Sequence, residues 1–258
     1  MKIAPAVASL VLLLAVAGCD KKEPASAPPA ATSAAVTKSA VPAPAEPAPP
    51  SAGHKRLTIA QAKATFLIDA PLEKIKGEVP DGKGFIDLDT ADLSRSKGSV
   101  SLRLSSLSTS TFADADKNAS QTDHARNWLE VGKAASADAR AKHEWATFTL
   151  KSVSVATPKL ADVKEEAGAR AFDAKLSGSL SVHGVAADKT FTVKVVVKGP
   201  PDAPTEVSLS TSEPWALSLK EHAIAPRDGV GSLLAGALEK IGKKIEDKVQ
   251  VSLVATAK

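Results

Sequence analysis

The chain has 258 residues, a formal net charge of +4 and interspersed acidic and basic residues, which is too mild a positive charge for a nucleic-acid-binding protein. Only 3% of the residues are aromatic and none is tyrosine, so platforms for stacking bases or sugar rings are not expected. The single cysteine excludes a disulfide framework and a cysteine-based zinc site, and the fold must therefore be held by its apolar core.

Residues 1–18 have the form of a lipoprotein signal peptide. One positive charge, Lys2, precedes an apolar stretch that ends in Val-Ala-Gly-Cys at Cys19. The stretch has the length of a signal-peptide core and is too short to span a bilayer. We therefore expect cleavage before Cys19 and lipidation of its sulfur, which would anchor the chain to a bacterial envelope membrane and face it to the periplasm. An ordinary secretory signal is the alternative, and the choice between inner and outer membrane stays open.

Residues 19–54 are predicted to be the lipid anchor followed by a disordered linker. Pro, Ala and Ser dominate this segment, and it contains no aromatic residue, leucine or isoleucine. Such a segment cannot bury enough apolar area to offset the entropy of ordering, and its prolines favour an extended chain. We interpret it as a tether, with a proline-rich ligand for a partner domain as the alternative.

Residues 55–258 form the predicted folded domain, because apolar side chains alternate there with Ser, Thr, Lys and Asp at a period of two. Weaker patterns at 57–59 and 64–68 bring the total to about eight to ten strands. Strands with one polar face are typical of antiparallel sheets, so an all-β sandwich or barrel is expected. The clearest sets are Val100, Leu102, Leu104; Phe148, Leu150; Leu176, Leu180, Val182; Phe191, Val193, Val195, Val197; and Val249, Val251, Leu253.

Two stretches break the alternation and are predicted to be short helices. Residues 122–139 are rich in helix formers, and Thr122 or Asp123 is the expected N-cap. Residues 231–249 carry apolar side chains at spacings of three and four with lysines between them. The basic character of the second helix is compatible with contact to a membrane surface. A helix that plugs or flanks a barrel end gives the same pattern, and we favour that interpretation.

Motifs for catalysis or metal binding are absent from the sequence pattern. No Gly-x-Ser-x-Gly elbow occurs, and the five histidines, including His143 and His183, are scattered without a second ligand at helical spacing. We interpret each histidine as a turn or rim residue. Asp114, Asp116 and Asn118 lack the downstream residues of a calcium loop and are interpreted as a solvated loop. The sequence therefore predicts no enzyme, no catalytic residue, no metal ligand and no cofactor.

Five segments of the domain carry a more specific pattern. They are Ile-Lys-Gly-Glu at 75–78 with Gly-Phe-Ile-Asp-Leu at 84–88; the alternating stretch 99–109, which ends in Ser-Thr; Asp-His-Ala-Arg at 123–126; Ala-Thr-Phe-Thr-Leu-Lys-Ser-Val at 146–153; and Leu-Ser-Gly-Ser-Leu-Ser-Val-His-Gly-Val at 176–185. In this order they resemble the YceI-like family of bacterial secreted and periplasmic proteins. The resemblance covers nearly all of residues 57–258, with departures around 122, 125 and 129–131 that leave the head-group preference unpredicted.

The resemblance implies a lipocalin-like, extended antiparallel β-barrel that binds a long polyisoprenoid or similar apolar lipid without catalysis. Independently, a barrel of about eight strands can hold one slender ligand, and each buried methylene contributes about 0.8 kcal/mol. The strand register decides which face points inward, and a slip of one residue inverts it. The residues expected to contact the lipid are Phe66, Ile68, Leu102, Leu104, Phe148, Leu150, Leu180, Val193 and Val195 in the barrel, and Asp123, His124 and Trp128 at its mouth.

The rival hypothesis is a structural or interaction lipoprotein whose barrel is filled by its own side chains. Such a protein would bind an envelope protein partner through an exposed apolar patch of several hundred Å² on the outside of the barrel, a large patch for a monomeric surface. Whether the chain forms a homodimer is left open by the sequence.

Overall fold

The computed structural model describes residues 48–69, 74–225 and 247–258. The predicted signal peptide, Cys19, most of the tether and nearly all of the helix predicted at 231–249 lie outside the described residues. Within the described ranges, no helix is long and apolar enough to cross a membrane.

The described part of the chain is built mainly from antiparallel strands. Two α-helices, α1 (Ala115–Trp128) and α2 (Ala137–His143), lie between the fifth and sixth strands. The strands are β1 (His54–Asp69), β2 (Lys74–Val79), β3 (Gly82–Asp89), β4 (Lys97–Arg103), β5 (Ser108–Thr109), β6 (Trp145–Val155), β7 (Glu165–Glu166), β8 (Ala169–Val182), β9 (Val185–Lys198), β10 (Glu206–Thr211), β11 (Trp215–Ser218) and β12 (Lys248–Ala257).

Eight strands close into a ring. The hydrogen-bonded order is β1-β12-β10-β9-β8-β6-β4-β3, and β3 pairs again with β1. The seam between β1 and β12 runs from Ile59 opposite Ala257 to Ile68 opposite Val249. The four remaining strands, β2, β5, β7 and β11, extend this ring at its margins. The prediction of an all-β antiparallel barrel is therefore confirmed.

Strand β1 is long because a bulge joins two alternating segments. Leu57 and Ile59 are buried, and after the register shift between Ile59 and Gln61 the buried positions become Ala62 and Ala64. The extra residue changes the inward positions from odd to even numbers. This change explains why the sequence shows two weak patterns where the structure has one strand.

The barrel has two distinct ends, which we call the base and the cap. At the base, β1 begins and β12 ends, and backbone hydrogen bonds join Thr58 to Lys258. Leu93 and Leu160 close the base, and both are buried. The backbone N–H of Leu93 donates to the carbonyl oxygen of Pro158, and that of Leu160 donates to the carbonyl oxygen of Thr90. At the cap lie the turn between β8 and β9 and the helices α1 and α2.

The segment predicted as a short helix at 122–139 is helical in part, but it contains portions of two helices, and the first starts earlier than predicted. Asp114 is the N-cap of α1, where its carboxylate accepts hydrogen bonds from the backbone of Asp116 and Lys117. Thr122 is instead buried within α1, and its Oγ1 accepts from the backbone of Thr109 at 2.9 Å. The segment at 114–118 is therefore a helix start rather than a solvated loop.

A charged pair stabilises the outside of the barrel near the base. Two nitrogens of Arg56 donate to the two carboxylate oxygens of Asp87 at 2.7 and 2.6 Å. Asp87 is buried, and the Arg56 guanidinium also lies 4.5 Å from the centre of the Phe85 ring. This two-point geometry is the strong form of a charged hydrogen bond and fixes the pairing of β1 with β3.

Candidate functional site

The barrel contains an apolar cavity in the half that is nearer the cap. Its volume is about 170 Å³, and every side chain that lines it is apolar, counting the tryptophan indoles as apolar. An apolar cavity of about 150 Å³ stays dry and binds benzene. The lining residues are Ala64, Phe66, Ile68, Val79, Val100, Leu102, Leu104, Leu107, Ala125, Trp128, Leu129, Ala146, Phe148, Leu180, Val182, Phe191, Trp215, Leu217, Leu219, Ile224, Val249, Val251 and Leu253.

A second cavity of about 80 Å³ lies toward the base. Its walls are mainly apolar and include Leu88, Leu93, Phe172 and Val207. Val100 and Phe148 line both cavities, so the two spaces are consecutive sections of one lumen. The ring of Phe148 lies at the division between them.

The position of the Phe148 ring depends on the absence of a side chain at Gly178. A Cβ atom at Gly178 would lie 2.5 Å from Phe148 Cζ and 2.3 Å from the carbonyl oxygen of Thr149. On its other side, Phe148 contacts Phe191 at a ring-centre distance of 5.0 Å, and Phe191 stacks on Trp215 at 5.5 Å. Phe148, Phe191 and Trp215 therefore form a row of aromatic rings along the wall of the lumen, from the division between the two cavities toward the cap.

Trp215 contributes its indole ring to the apolar wall of the larger cavity. Its Nε1 is buried and has no hydrogen-bond partner among the residues that the structure describes. A buried N–H donor without a partner carries a desolvation cost.

The structure gathers most of the predicted lipid-contact residues in the lumen but not all of them. The larger cavity is lined by Phe66, Ile68, Leu102, Leu104, Trp128, Phe148 and Leu180. The smaller cavity is lined by Phe148, Leu150 and Val195. Val193 is buried in the core without lining either cavity. Asp123 is exposed on α1, and neither it nor His124 lines a cavity.

A polar cluster lies at the cap, beside the cavity. It consists of Glu130, which follows α1, His143 at the end of α2, and His183 in the turn between β8 and β9. Glu130 Oε2 is 2.8 Å from His183 Nε2 and 3.2 Å from His143 Nε2. The two imidazole rings stack with a centre distance of 4.1 Å, and both histidines are buried. We call these three residues the cap triad.

His222 contacts the cap triad through a hydrogen bond to His183. Its backbone carbonyl oxygen accepts a hydrogen bond from His183 Nδ1 at 3.3 Å, and its own Nδ1 donates to the carbonyl oxygen of Val185 at 3.0 Å. His222 is fully buried, and this burial lowers the pKa of its imidazole below the ordinary value. The sequence pattern misses the cap triad because its members are far apart along the chain.

Comparison with known proteins identifies the family of this barrel. The profile of the YceI-like domain matches residues 56–257. The chain belongs to the YceI-like family. No curated protein matches the chain.

Several solved structures resemble this YceI-like barrel at low sequence identity. A polyisoprenoid-binding domain from Saccharophagus degradans has 14% identity and a TM-score of 0.49, covering 78% of this chain and 97% of that one. BcnA from Burkholderia cenocepacia has 14% identity and a TM-score of 0.45, covering 76% and 96%. The YceI protein of Campylobacter jejuni has 18% identity and a TM-score of 0.41, covering 71% and 84%.

Proposed function

We propose that this protein binds a long apolar lipid of the polyisoprenoid type in the lumen of its barrel, without converting it. The observation that carries the proposal is the apolar cavity of about 170 Å³ inside a closed ring of strands. About ten buried methylene groups, at about 0.8 kcal/mol each, correspond to a micromolar dissociation constant. Hydrocarbon burial alone therefore supplies useful affinity.

The lumen favours a slender chain over a compact ligand. Its two sections share Val100 and Phe148 and follow one another along the barrel. A hydrocarbon that occupies only the larger section fits the structure as it stands. A chain that passes through both sections requires the Phe148 ring to turn aside.

The interaction rival is supported less well by the described surface. It predicts a contiguous apolar patch outside the barrel. Within the described ranges, Val254 is the one large hydrophobic residue classed as exposed, at 47%. A single exposed valine is ordinary for a protein surface. The lipid-binding proposal is therefore the better account of where the apolar side chains lie.

The decisive experiment is native mass spectrometry of protein purified without detergent, followed by addition of geranylgeraniol. We expect a co-purifying apolar mass or uptake of the added alcohol. Ala125→Phe, which fills the larger cavity from α1, should abolish uptake, whereas Ala119→Phe on the exposed side of the same helix should not. Failure of the wild-type protein to carry or take up a lipid would overturn the proposal.

We further propose that the protein is a lipoprotein, anchored through Cys19 to an envelope membrane and facing the periplasm. The support is the apolar stretch that ends in Val-Ala-Gly-Cys and the proline-rich segment after it. Cys19→Ala should release the protein from the membrane fraction in a wash without detergent. Retention of this variant in the membrane would contradict lipid anchoring while leaving the lipid-binding proposal intact.

A further inference from the structure

The cap triad brings together three side chains that each offer an electron pair. The ligand atoms of Glu130, His143 and His183 all lie within 4.8 Å of one another. They come from three separate elements, and the two histidine side chains are only 8% and 5% exposed. Two imidazole nitrogens and a carboxylate oxygen in this arrangement are typical ligands of zinc and related divalent metals.

The hydrogen bond to His222 decides the tautomer of His183. A carbonyl oxygen can only accept, so His183 Nδ1 must carry the proton that it donates to His222. In the neutral ring, Nε2 then holds a lone pair that faces the Glu130 carboxylate oxygen at 2.8 Å. Two acceptors at this distance need a cation between them, either a proton or a metal ion.

The support by a backbone carbonyl is itself characteristic of metal ligands. A histidine that binds a metal through one ring nitrogen almost always donates its other N–H to a carbonyl or carboxylate oxygen. His183 has this second contact, with the His222 carbonyl oxygen as its acceptor. The orientation of its Nε2 toward Glu130 is therefore fixed before any ion binds.

Two members of the cap triad lie at turns of the backbone. Glu130 (φ 57°) follows the C-cap of α1, and His183 (φ 51°) is the first residue of the two-residue turn between β8 and β9. Positive φ angles are usual at both places. The triad therefore joins the ends of separate elements.

We propose that Glu130, His143 and His183 form a binding site for one divalent transition-metal ion of the zinc class. Three protein ligands leave a coordination position for water or another small ligand. The bound ion would tie the end of α1, the end of α2 and the turn between β8 and β9 together. Leu129 and Val182, the chain neighbours of Glu130 and His183, line the larger cavity. The ion would therefore stiffen the cap over the lumen.

Metal binding is tested on untagged protein that has been stripped with a chelator. We expect one equivalent of Zn²⁺ by calorimetry, one equivalent of Co²⁺ with a visible absorption band, and a zinc-dependent rise in melting temperature. His183→Gln and Glu130→Gln should each weaken zinc binding by more than about 100-fold, beyond the usual effect of losing a supporting group. His124→Gln, on α1 outside the triad, and Cys19→Ala should bind zinc as the wild type does.

Two outcomes would overturn the proposal. The first is a wild-type protein that takes up neither Zn²⁺ nor Co²⁺ at neutral pH, which would leave the cluster as a hydrogen-bonded group without a metal ion. The second is zinc binding that survives both triad substitutions or disappears in Cys19→Ala, which would place the ion elsewhere. Circular dichroism of each variant separates loss of the site from loss of the fold, and wild-type binding shows whether any zinc site exists.

Discussion

The Phe148 ring lies against Gly178 on the neighbouring strand, where a Cβ atom would come within 2.5 Å of Phe148 Cζ. This contact sets the division of the lumen, because Phe148 lines both cavities. A glycine on one strand thus gives an aromatic ring on the next the room to separate two ligand spaces. The lengths of chain that the barrel accepts should depend on this pair.

Phe148→Ala should join the two cavities and shift the preference toward longer prenyl alcohols. The substitution should also lower the free energy of unfolding by about 3–5 kcal/mol, as for other buried phenylalanines. Phe172→Ala is the matched control, since Phe172 lines only the smaller cavity. Competition between farnesol and geranylgeraniol in native mass spectrometry measures the preference, and equal ratios in wild type and Phe148→Ala would contradict a dividing role.

Gly178→Ala should destabilise the barrel by about 1–3 kcal/mol, in the range of overpacked cores. The new methyl group would meet both the Phe148 ring and the Thr149 carbonyl oxygen, and the backbone oxygen cannot rotate away. Chemical denaturation measures the loss. Ser179→Ala, at the next position of β8, should change the stability by less than about 0.5 kcal/mol. If the Gly178→Ala protein were as stable as the wild type, β6 and β8 would be able to move apart without a loss in the free energy of unfolding.

Asp87→Asn should lower the melting temperature by several degrees, because removal of one partner from a buried charged pair leaves the other uncompensated. Thermal unfolding followed by circular dichroism measures the shift. Asp188→Asn serves as the comparison, since the Lys151–Asp188 pair is exposed on both sides and should contribute little. Equal melting temperatures for Asp87→Asn and Asp188→Asn would show that the pairing of β1 with β3 does not depend on the Arg56–Asp87 pair.

The sequence predicts the barrel well because its signal is local. Period-two alternation marks the strands and their inward faces wherever no bulge intervenes, as for Leu102, Phe148 and Leu180. The bulge in β1 reverses the alternation after Ile59, and no residue type announces it. Closure of β1 against β12 is also invisible to a local pattern, since it joins strands at opposite ends of the domain.

The residues at the mouth of the barrel and in the cap triad are hard to predict, because they come together only in the folded chain and leave no local pattern. Helix α1 begins at Ala115 instead of near Thr122, and the pattern of a single helix does not show which of its faces meets the barrel. Trp128 then lines the lumen while Asp123 points to solvent. Glu130, His143 and His183 contact one another only after the helices have docked on the β8–β9 turn. Spacing rules that search for ligands on a single helix cannot detect such a set.

The seam between β1 and β12 has a topological consequence for any tethered form of the protein. His54 and Lys258 leave the barrel at the same rim, and the triad and both helices lie at the opposite rim. A molecule held by its N-terminal segment would therefore be joined at the rim opposite its helices. Hydrocarbon that entered or left at the helical rim would pass through the end of the barrel that carries no attachment.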